Sequence, residues 1–433
     1  VTLSGVGTVS WDTTAKTASF TAVSGNGYFV NTTSGAITVT LPAGSAGDIV
    51  SLADYTNTWQ TNNVIVTPNG SDKIGGINAN AILSTEGQSL TFVYVDATEG
   101  WKNVQDSTSN ATGNPFIFAT GGTITTCGNC KIHTFTGPGT FTVSQVHPCA
   151  ANNLVSHLVI AGGAAGGGAA AGGGGGAGGY REVKSPVTPY TASPLDGYPS
   201  APNRVTVTAT AYPITVGGGG APTNNFTGNS GSNSVFSTVT SAGGGGGGKY
   251  GGGLAGVPAP APLVTASTAL NGGSGGGGGS LCSGSAPLNE LLANKGTGNT
   301  PPVSPSQGNN GGNGKNAYYA SSGGGGGAGS GGADASGAGT TAPTSVGGAG
   351  GNGVATSITG SSVTRAGGGG GASYGTPGSG GPGGGGNGAL SCSSCAATSG
   401  TANTGGGGGG GGPVGNVTGA GGSGIVVIRY KYQ

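Results

Sequence analysis

The sequence has little charge, few aromatic residues and no methionine. Charged residues make up 6% of the 433-residue chain, aromatic residues another 6%, and the formal net charge is +1. Because there is no basic tract, nothing indicates a nucleic-acid partner. No apolar run reaches the ~18 residues of a membrane span. We therefore expect a protein that neither binds nucleic acid nor inserts into a membrane.

Carboxylates are scarce in the second half of the chain. After Val183 the side-chain acids are Asp196, Glu290 and Asp334. Cleavage of a polysaccharide normally needs two carboxylates a fixed distance apart, and the acids nearer the start of the chain lie mostly near turns. We expect a protein that is not an enzyme and holds no cofactor.

Glycine dominates the residues that are present, with Gly 105 and Pro 23. This fraction is typical of low-complexity chains, but the low charge and the apolar strands on either side favour order. Collagen needs glycine at every third position, a pattern that the uninterrupted glycine runs break. The main runs are residues 172–176, 243–248, 275–279, 323–327, 367–371 and 405–412.

Glycine runs can adopt the extended three-residue polyglycine II helix, whose N–H and C=O groups point outward. Without Cβ atoms, such helices can approach closely enough to hydrogen-bond to one another in two dimensions. Many runs must pack together, because backbone bonds have to offset the entropy that glycine loses on ordering. Residues 161–424 are therefore predicted to form polyglycine runs joined by loop inserts at both faces.

Residues 1–107 have an ordinary β-strand composition. Period-two alternation with glycine turns predicts an antiparallel β-sandwich or jelly roll, and its strands are expected at residues 36–41, 48–52, 63–67 and 89–95. The hydrophobic core of this module is expected to contain Trp11, Trp59 and Trp101. Val1 begins the chain without a signal-peptide pattern, so we expect the C-terminal part of a longer protein.

Residues 108–121 are linker-like, and residues 122–433 form the predicted glycine-rich domain. Its first part, residues 122–160, holds two predicted hairpins, turning at Gly128-Asn129 and at residues 137–139, followed by an apolar strand. A closing strand is predicted at residues 425–433. The fold class is all-β throughout.

Two inserts between the glycine runs have patterns of their own. Residues 204–212 alternate as a strand, whereas residues 288–295 favour one or two helical turns. The spacing between runs is irregular, which indicates an array with uneven inserts rather than a solenoid of equal repeats.

Several motifs resemble those of bacteriophage virion proteins. The early segments are similar to a tail-fibre module of marine and cyanobacterial phages, at residues 20–23, 27–30, 37–42, 46–50 and 84–89. Later segments resemble the glycine-rich domains of such proteins, at residues 133–141, 178–182 and 422–430. More loosely, the runs resemble the receptor-recognition adhesins at the tips of tailed-phage fibres.

This resemblance implies a distal tail-fibre adhesin in the extracellular virion, assembled in the host cytoplasm and commonly trimeric. Its partners would be other tail proteins and a host receptor, either a polysaccharide or an outer-membrane protein. The alternative is a structural virion component, such as a capsid fibre or tail appendage subunit, without a receptor of its own.

Aromatic residues on the inserts are the candidates for receptor binding, because rigid rings give contact area at low entropic cost. The alternative for any one ring is a local cap over the glycine slab. The rings considered are Tyr198, Phe226, Phe236, Tyr250, Tyr318, Tyr319 and Tyr374. The preferred receptor-binding set also includes nearby cations and consists of Lys249, Tyr250, Lys315, Tyr318, Tyr319 and Tyr374.

Cysteine leaves several possibilities open. Cys127 and Cys130 flank a two-residue turn, a separation that suits a disulfide. Zinc is an alternative if the ligands include His133, His147 and Cys149, although the spacing is looser than in structural zinc sites. The same alternatives, a disulfide, a metal site or reduced thiols, apply to Cys392 and Cys395. Reduced thiols are favoured, because a phage protein assembles in the host cytosol.

Overall fold

The structure is a computed structural model that describes residues 9–106, 115–169, 171–224, 226–252, 268–282, 290–317, 319–337, 344–390, 395–412 and 417–433. It divides into two compact units. The first contains the described residues up to Phe118, together with Ser144–Asn153 and Gln433, and the second contains Ala119–Val143 and Leu154–Tyr432. Half of the predicted linker, residues 108–114, lies outside the described residues.

The first unit is built from short strands around a hydrophobic core. Its strands are β1 (Ser10–Lys16), β2 (Phe20–Thr21), β3 (Asn26–Val30), β4 (Ile37–Thr40), β5 (Ile49–Asp54), β6 (Val64–Thr67), β7 (Ala81–Leu83), β8 (Ser89–Tyr94) and β9 (Trp101–Asp106). A 3-10 helix spans Ala150–Asn153. The strands predicted from period-two alternation are confirmed as β4, β5, β6 and β8.

Two sheets form this unit, with orders β1-β3-β5-β8-β9 and β2-β4-β6-β7. The prediction that the module is antiparallel is wrong for its first half. Strands β1, β3 and β5 pair in parallel, as do β2, β4 and β6. The chain changes sheet after each strand from β1 to β5, so it winds between two layers. Alternation shows which face of a strand is buried but carries no information on its partner.

The tryptophans of this unit differ in burial. Trp59 and Trp101 are fully buried, and Trp59 donates its indole N–H to the Val30 carbonyl at 3.2 Å. Trp11 is 43% exposed. The core placement is therefore confirmed for two tryptophans and wrong for Trp11, because β1 is an edge strand and Trp11 lies on its outer face.

The second unit begins with strands before the glycine runs and ends with one after them. Its strands are β10 (Phe118–Thr120), β11 (Thr123–Cys127), β12 (Cys130–Phe135), β13 (Gly139–Gln145), β14 (Leu154–Ile160), β15 (Tyr180–Val183), β16 (Val205–Thr206), β17 (Ala211–Thr215), β18 (Ser234–Phe236), β19 (Val239–Ser241), β20 (Gly251–Gly252), β21 (Leu281–Cys282), β22 (Glu290–Leu291), β23 (Lys315–Asn316), β24 (Val354–Thr356), β25 (Val363–Arg365) and β26 (Ile425–Lys431). A 3-10 helix spans Ala201–Asn203.

The strands that bracket the glycine runs in the sequence are neighbours in space. The order of their sheet is β11-β12-β26-β14-β15, with β16 also paired to β14. Strand β26 lies between β12 and β14, so Ile428 pairs with both His133 and His157. Every residue of β14 is buried, as are all but the last of β26. The predicted bracketing strands therefore form the centre of one antiparallel sheet.

A second sheet, β10-β13-β17-β18-β19, packs against the first. The prediction of two consecutive hairpins is half right. Strands β11 and β12 form a hairpin across Gly128-Asn129, but β12 and β13 belong to different sheets. The turn at residues 137–139 instead carries Phe141 into the core between the sheets, where its ring lies 5.0 Å from that of His133 and 6.2 Å from that of Phe236.

The glycine runs form the predicted polyglycine II packing, called here the glycine lattice. Successive N–H groups of residues 173–175 donate to carbonyls of three different runs, at Gly248, Gly323 and Gly408, over 2.8–3.0 Å. The next three N–H groups return to the same runs, each three residues along. A helix with three residues per turn produces this period. The lattice is therefore held by backbone bonds in several directions.

Many interior positions of the glycine lattice have no room for a side chain. A Cβ added to Gly174 would lie 2.1 Å from the Gly369 carbonyl oxygen, and one on Gly178 would lie 2.0 Å from that of Ala161. Neither residue has positive φ, so the backbone conformation does not itself require glycine. Glycine is needed because neighbouring backbones approach too closely for any side chain.

The inserts depart from the sequence expectations in two places. The predicted strand at residues 204–212 is split into β16 and the beginning of β17. Within the predicted helical turns, residues 288–289 lie outside the described range, and Glu290–Leu291 is strand β22, which pairs with Asn316 and Lys315 of β23. A neighbouring strand outweighs the weak local preference for helix here. No described helix is long and apolar enough to cross a membrane.

Replacing Gly174 by alanine should lower the free energy of unfolding by about 3 kcal/mol, because the neighbouring run would have to move. Gly218 is a matched control, since an added Cβ there meets no atom within 4 Å. Urea denaturation of both variants measures the difference. Equal stabilities would contradict the close packing described for the glycine lattice.

Acidification should destabilise the second unit through His157. This side chain is fully buried, and neither ring nitrogen has a hydrogen-bond partner. Burial, with a smaller contribution from the charge of Arg181, lowers the pKa of His157 to about 3. Below the unfolded-state pKa of about 6.5, the His157 imidazole binds a proton in the unfolded chain but stays neutral in the folded chain. The free energy of unfolding therefore decreases as the pH falls.

The difference in unfolding free energy between pH 7 and pH 4.5 should therefore be about 2–3 kcal/mol larger for the wild type than for His157→Leu. Burial also lowers the pKa of His133, but His133 is present in both proteins, so the comparison isolates His157. Identical pH dependence in urea unfolding would be inconsistent with a neutral buried imidazole.

Candidate functional site

The glycine lattice has two ends, because successive runs alternate in direction. The first run leaves β14 after Ile160, and the next returns to β15 at Tyr180, which pairs with Ile160. We call the end at these strands the sheet end. The opposite end, called the loop end, is defined by residues 168–171, 222–227, 249–252, 280–282, 315–321, 336–346, 373–377 and 389–395 where described.

The loop end is a connected surface rather than a set of separate tips. Strands β20, β21, β23 and β22 form a small sheet there. Ser321 bridges to both Lys315 and Ser373, and Ser373 bridges in turn to Leu390. Segments far apart in the sequence therefore meet at the loop end through backbone pairing.

The described residues of the predicted receptor-binding set all lie at the loop end. Lys249 and Tyr250 follow one run, and the Tyr250 N–H donates to the Gly168 carbonyl at 3.1 Å. Lys315 opens β23, and its Nζ donates to the Gly337 carbonyl at 2.6 Å. The rings of Tyr319 and Tyr374 meet edge to face with centroids 6.0 Å apart. Tyr318 lies outside the described residues.

All five of these side chains are partly buried. Such burial is compatible with the expectation that a ring caps the glycine lattice and with the expectation that it contacts a receptor. Their role in binding therefore stays a prediction.

Exposed apolar side chains also concentrate at or near the loop end. They were not all singled out by the sequence, because an isolated leucine or valine between glycines has no periodic pattern. The exposed fractions are 68% for Phe226, 52% for Leu291, 49% for Val417 and 42% for Leu270.

Two other candidate rings lie elsewhere. Phe236 is fully buried between the two sheets, so it is unavailable for recognition. Tyr198 is on the insert between β15 and β16, where the Arg204 guanidinium lies 4.4 Å from its ring centroid. The choice of aromatic candidates by composition alone could not separate these positions from the loop end.

At the sheet end, the structure reveals a buried carboxylate that the sequence did not single out. Glu182 is 2% exposed. One of its carboxylate oxygens accepts hydrogen bonds from the Tyr180 hydroxyl at 2.8 Å and the Ser193 N–H at 3.0 Å. The other accepts from the Thr356 hydroxyl at 2.5 Å. Burial, and then the neighbouring Glu182, raises the pKa of Tyr180.

These bonds join β15, the insert that follows it and strand β24. Their geometry is that of a structural link, since every partner of the carboxylate is a donor from the protein itself. Asp196, another of the scarce acids, accepts from the N–H groups of Lys184 and Tyr198 in the same insert. Both acids thus hold loop conformations.

The described cysteines differ in oxidation state. Cys127, Cys130 and Cys149 are free thiols, whereas Cys395 is disulfide-bonded. The expectation of reduced thiols is therefore wrong for Cys395, and Cys392 lies outside the described residues. Although Cys127 and Cys130 are directly paired across their hairpin, they are not bonded. Among the described His, Cys, Asp and Glu side chains, no group of three could hold a metal ion.

These features define a class of protein: an all-β chain in which the sheets of the second unit hold one end of a polyglycine lattice and loops connect the runs at the other end. The model of a glycine-rich domain family matches residues 134–431. The chain belongs to this glycine-rich domain family. A comparison with curated proteins returns no significant match.

Replacing Thr356 by valine should lower the free energy of unfolding by about 1–3 kcal/mol, because it removes a donor from a buried carboxylate. The matched control is Thr364→Val on the adjacent strand β25, where the side chain is exposed and the change should stay within about 0.5 kcal/mol. Equal urea midpoints for the two variants would show that the Glu182 link contributes little.

Proposed function

We propose that this chain is the distal, receptor-binding part of a bacteriophage tail fibre. The observation that carries the proposal is the meeting of Lys249, Tyr250, Lys315, Tyr319 and Tyr374 at one end of a rigid lattice. They belong to inserts that span more than a hundred positions of the sequence.

The protein acts by binding, without catalysing a reaction. Backbone bonds hold the glycine lattice, so the loops can vary in sequence without disturbing its interior. A rigid frame also reduces the entropy that the loops lose when they bind. Tyrosine rings contribute apolar contact and a hydroxyl in the same side chain, and the two lysines favour anionic or carbonyl-rich partners.

The host partner is a surface polysaccharide or an outer-membrane protein, and the other partners are neighbouring tail proteins. The protein belongs to the extracellular part of the virion and is assembled in the host cytoplasm as a homotrimer. The disulfide at Cys395, beside the loop end, fits a surface that functions in oxidising surroundings. The similarity of the early segments to tail-fibre modules supports the same function.

Simultaneous replacement of Lys249, Tyr250, Lys315, Tyr319 and Tyr374 by serine should reduce phage adsorption to host cells at least about tenfold, the equivalent of losing roughly 1.4 kcal/mol of binding free energy. Adsorption is measured on intact particles that carry the variant. Purified wild-type chain should compete with the wild-type particle, and the variant chain should not.

The control is Tyr198→Ser, a partly buried tyrosine away from the loop end. Its particles should adsorb normally. If the loop-end variant assembles and adsorbs like the wild type, the receptor-binding proposal is wrong, and a structural part of the virion becomes the better explanation.

A further inference from the structure

A cluster of aromatic side chains lies on the outer face of the first unit, on the sheet β1-β3-β5-β8-β9 and on the side away from the hydrophobic core. Strands β1, β3 and β5 are parallel neighbours there. The ring centroids of Trp11 and Phe29 are 4.9 Å apart at an interplanar angle of 32°. The ring of Tyr55 lies 6.4 Å from that of Phe29 at 66°. The Trp11 and Phe29 rings therefore pack on each other in a tilted stack, and Tyr55 meets Phe29 edge to face.

The position of the Trp11 ring depends on a glycine. Trp11 pairs with Gly27 in the register of β1 and β3, and a Cβ on Gly27 would lie 2.7 Å from the indole ring. Gly27 does not have positive φ, so its backbone conformation is open to other residues. The missing side chain lets the indole lie directly on strand β3, which leaves the ring partly exposed instead of buried.

Exposure distinguishes these rings from the core of the same unit. Trp11 is 43% and Tyr55 54% exposed, whereas the neighbouring Tyr28 and Val30 on the opposite face are buried. Partly exposed rings with one free face are suited to stacking on a flat ligand.

Polar groups border the aromatic cluster. Asn31, two residues after Phe29, accepts hydrogen bonds through its Oδ1 from the Thr33 and Thr56 hydroxyls at 2.6 and 3.2 Å. All three side chains belong to exposed hydrogen bonds, and Thr56 follows Tyr55 directly. The ion pair of Lys16 with Asp12, at 2.8 Å, lies on the opposite face, because Asp12 pairs with Tyr28 and the Lys16 Nζ lies 5.7 Å from the Tyr28 ring centroid.

We propose that the cluster of Trp11, Phe29 and Tyr55 binds a carbohydrate, as a site separate from the loop end. A pyranose ring has an apolar C–H face and a rim of hydroxyl groups. The exposed ring surfaces of Trp11 and Tyr55 fit the face, while the hydroxyl and amide groups of Asn31, Thr33 and Thr56 fit the rim.

Intrinsic fluorescence of the full chain provides a direct test. Of the three tryptophans, Trp59 and Trp101 are 0% exposed, so quenching by acrylamide reports mainly on Trp11. Soluble dextran, mannan, galactan and N-acetylglucosamine oligomers are the probes. At least one should protect the accessible tryptophan from quenching in a saturable manner.

Variants then link the protection to the cluster. Trp11→Ala and Tyr55→Ala should each weaken retardation of the chain in gels containing that polysaccharide about tenfold. Gly27→Val keeps all three rings but displaces the indole, and it should weaken binding similarly. Val104→Ala, a 59% exposed apolar position on β9, is the control and should leave retardation unchanged, as should the loop-end variant.

Three results would overturn the proposal. The first is that no probe protects Trp11, and the second is that retardation persists in the Trp11→Ala, Tyr55→Ala double variant. The third is protection that rises with protein concentration in the absence of sugar, which would assign the aromatic face to contact with a second copy of the chain. Melting temperatures of the variants identify any loss of binding that results from unfolding.

Discussion

The structure depends on hydrogen bonds between the backbones of polyglycine helices. Each bond contributes only about 1 kcal/mol net, and ordering glycine costs more entropy than ordering any other residue. The arrangement is stable only if each run bonds to several neighbours at once, as residues 173–179 do. That condition requires backbones in direct contact, which is why carbonyl oxygens occupy the positions that side chains would otherwise take.

A lattice made almost entirely of backbone has no large hydrophobic core of its own. The two sheets of the second unit supply that core. Strand β26, at the end of the chain, lies between β12 and β14, which precede the glycine runs. The first and last parts of the domain are thus one sheet, and the runs are held at their sheet end by apolar burial. Glu182 adds a second attachment there, because its carboxylate joins β15 to the insert that follows it and to β24.

Stability and surface chemistry therefore depend on different parts of the second unit, the glycine runs and the inserts between them. Most interior positions of the glycine lattice accept only glycine, and the buried exceptions, such as Ala177 and Ser322, are small, so chemical variety is confined to the ends of the runs. The loop end brings such residues together from distant parts of the sequence. On the outer face of the first unit, by contrast, the sheet carries ordinary side chains. A single glycine, Gly27, makes room there for the ring of Trp11.

Much of this architecture follows from the sequence by itself. Glycine runs without a collagen period allow few ordered structures other than polyglycine II, and the apolar strands at residues 154–160 and 425–431 require burial. The tertiary structure alone decided which strands became partners: the parallel winding of the first unit, the separation of β12 from β13, and the strand at Glu290–Leu291. It also decided that Trp11 is exposed and Glu182 buried. The physical reason is that periodicity reports the environment of one strand, whereas pairing and burial depend on contacts between residues far apart in the chain.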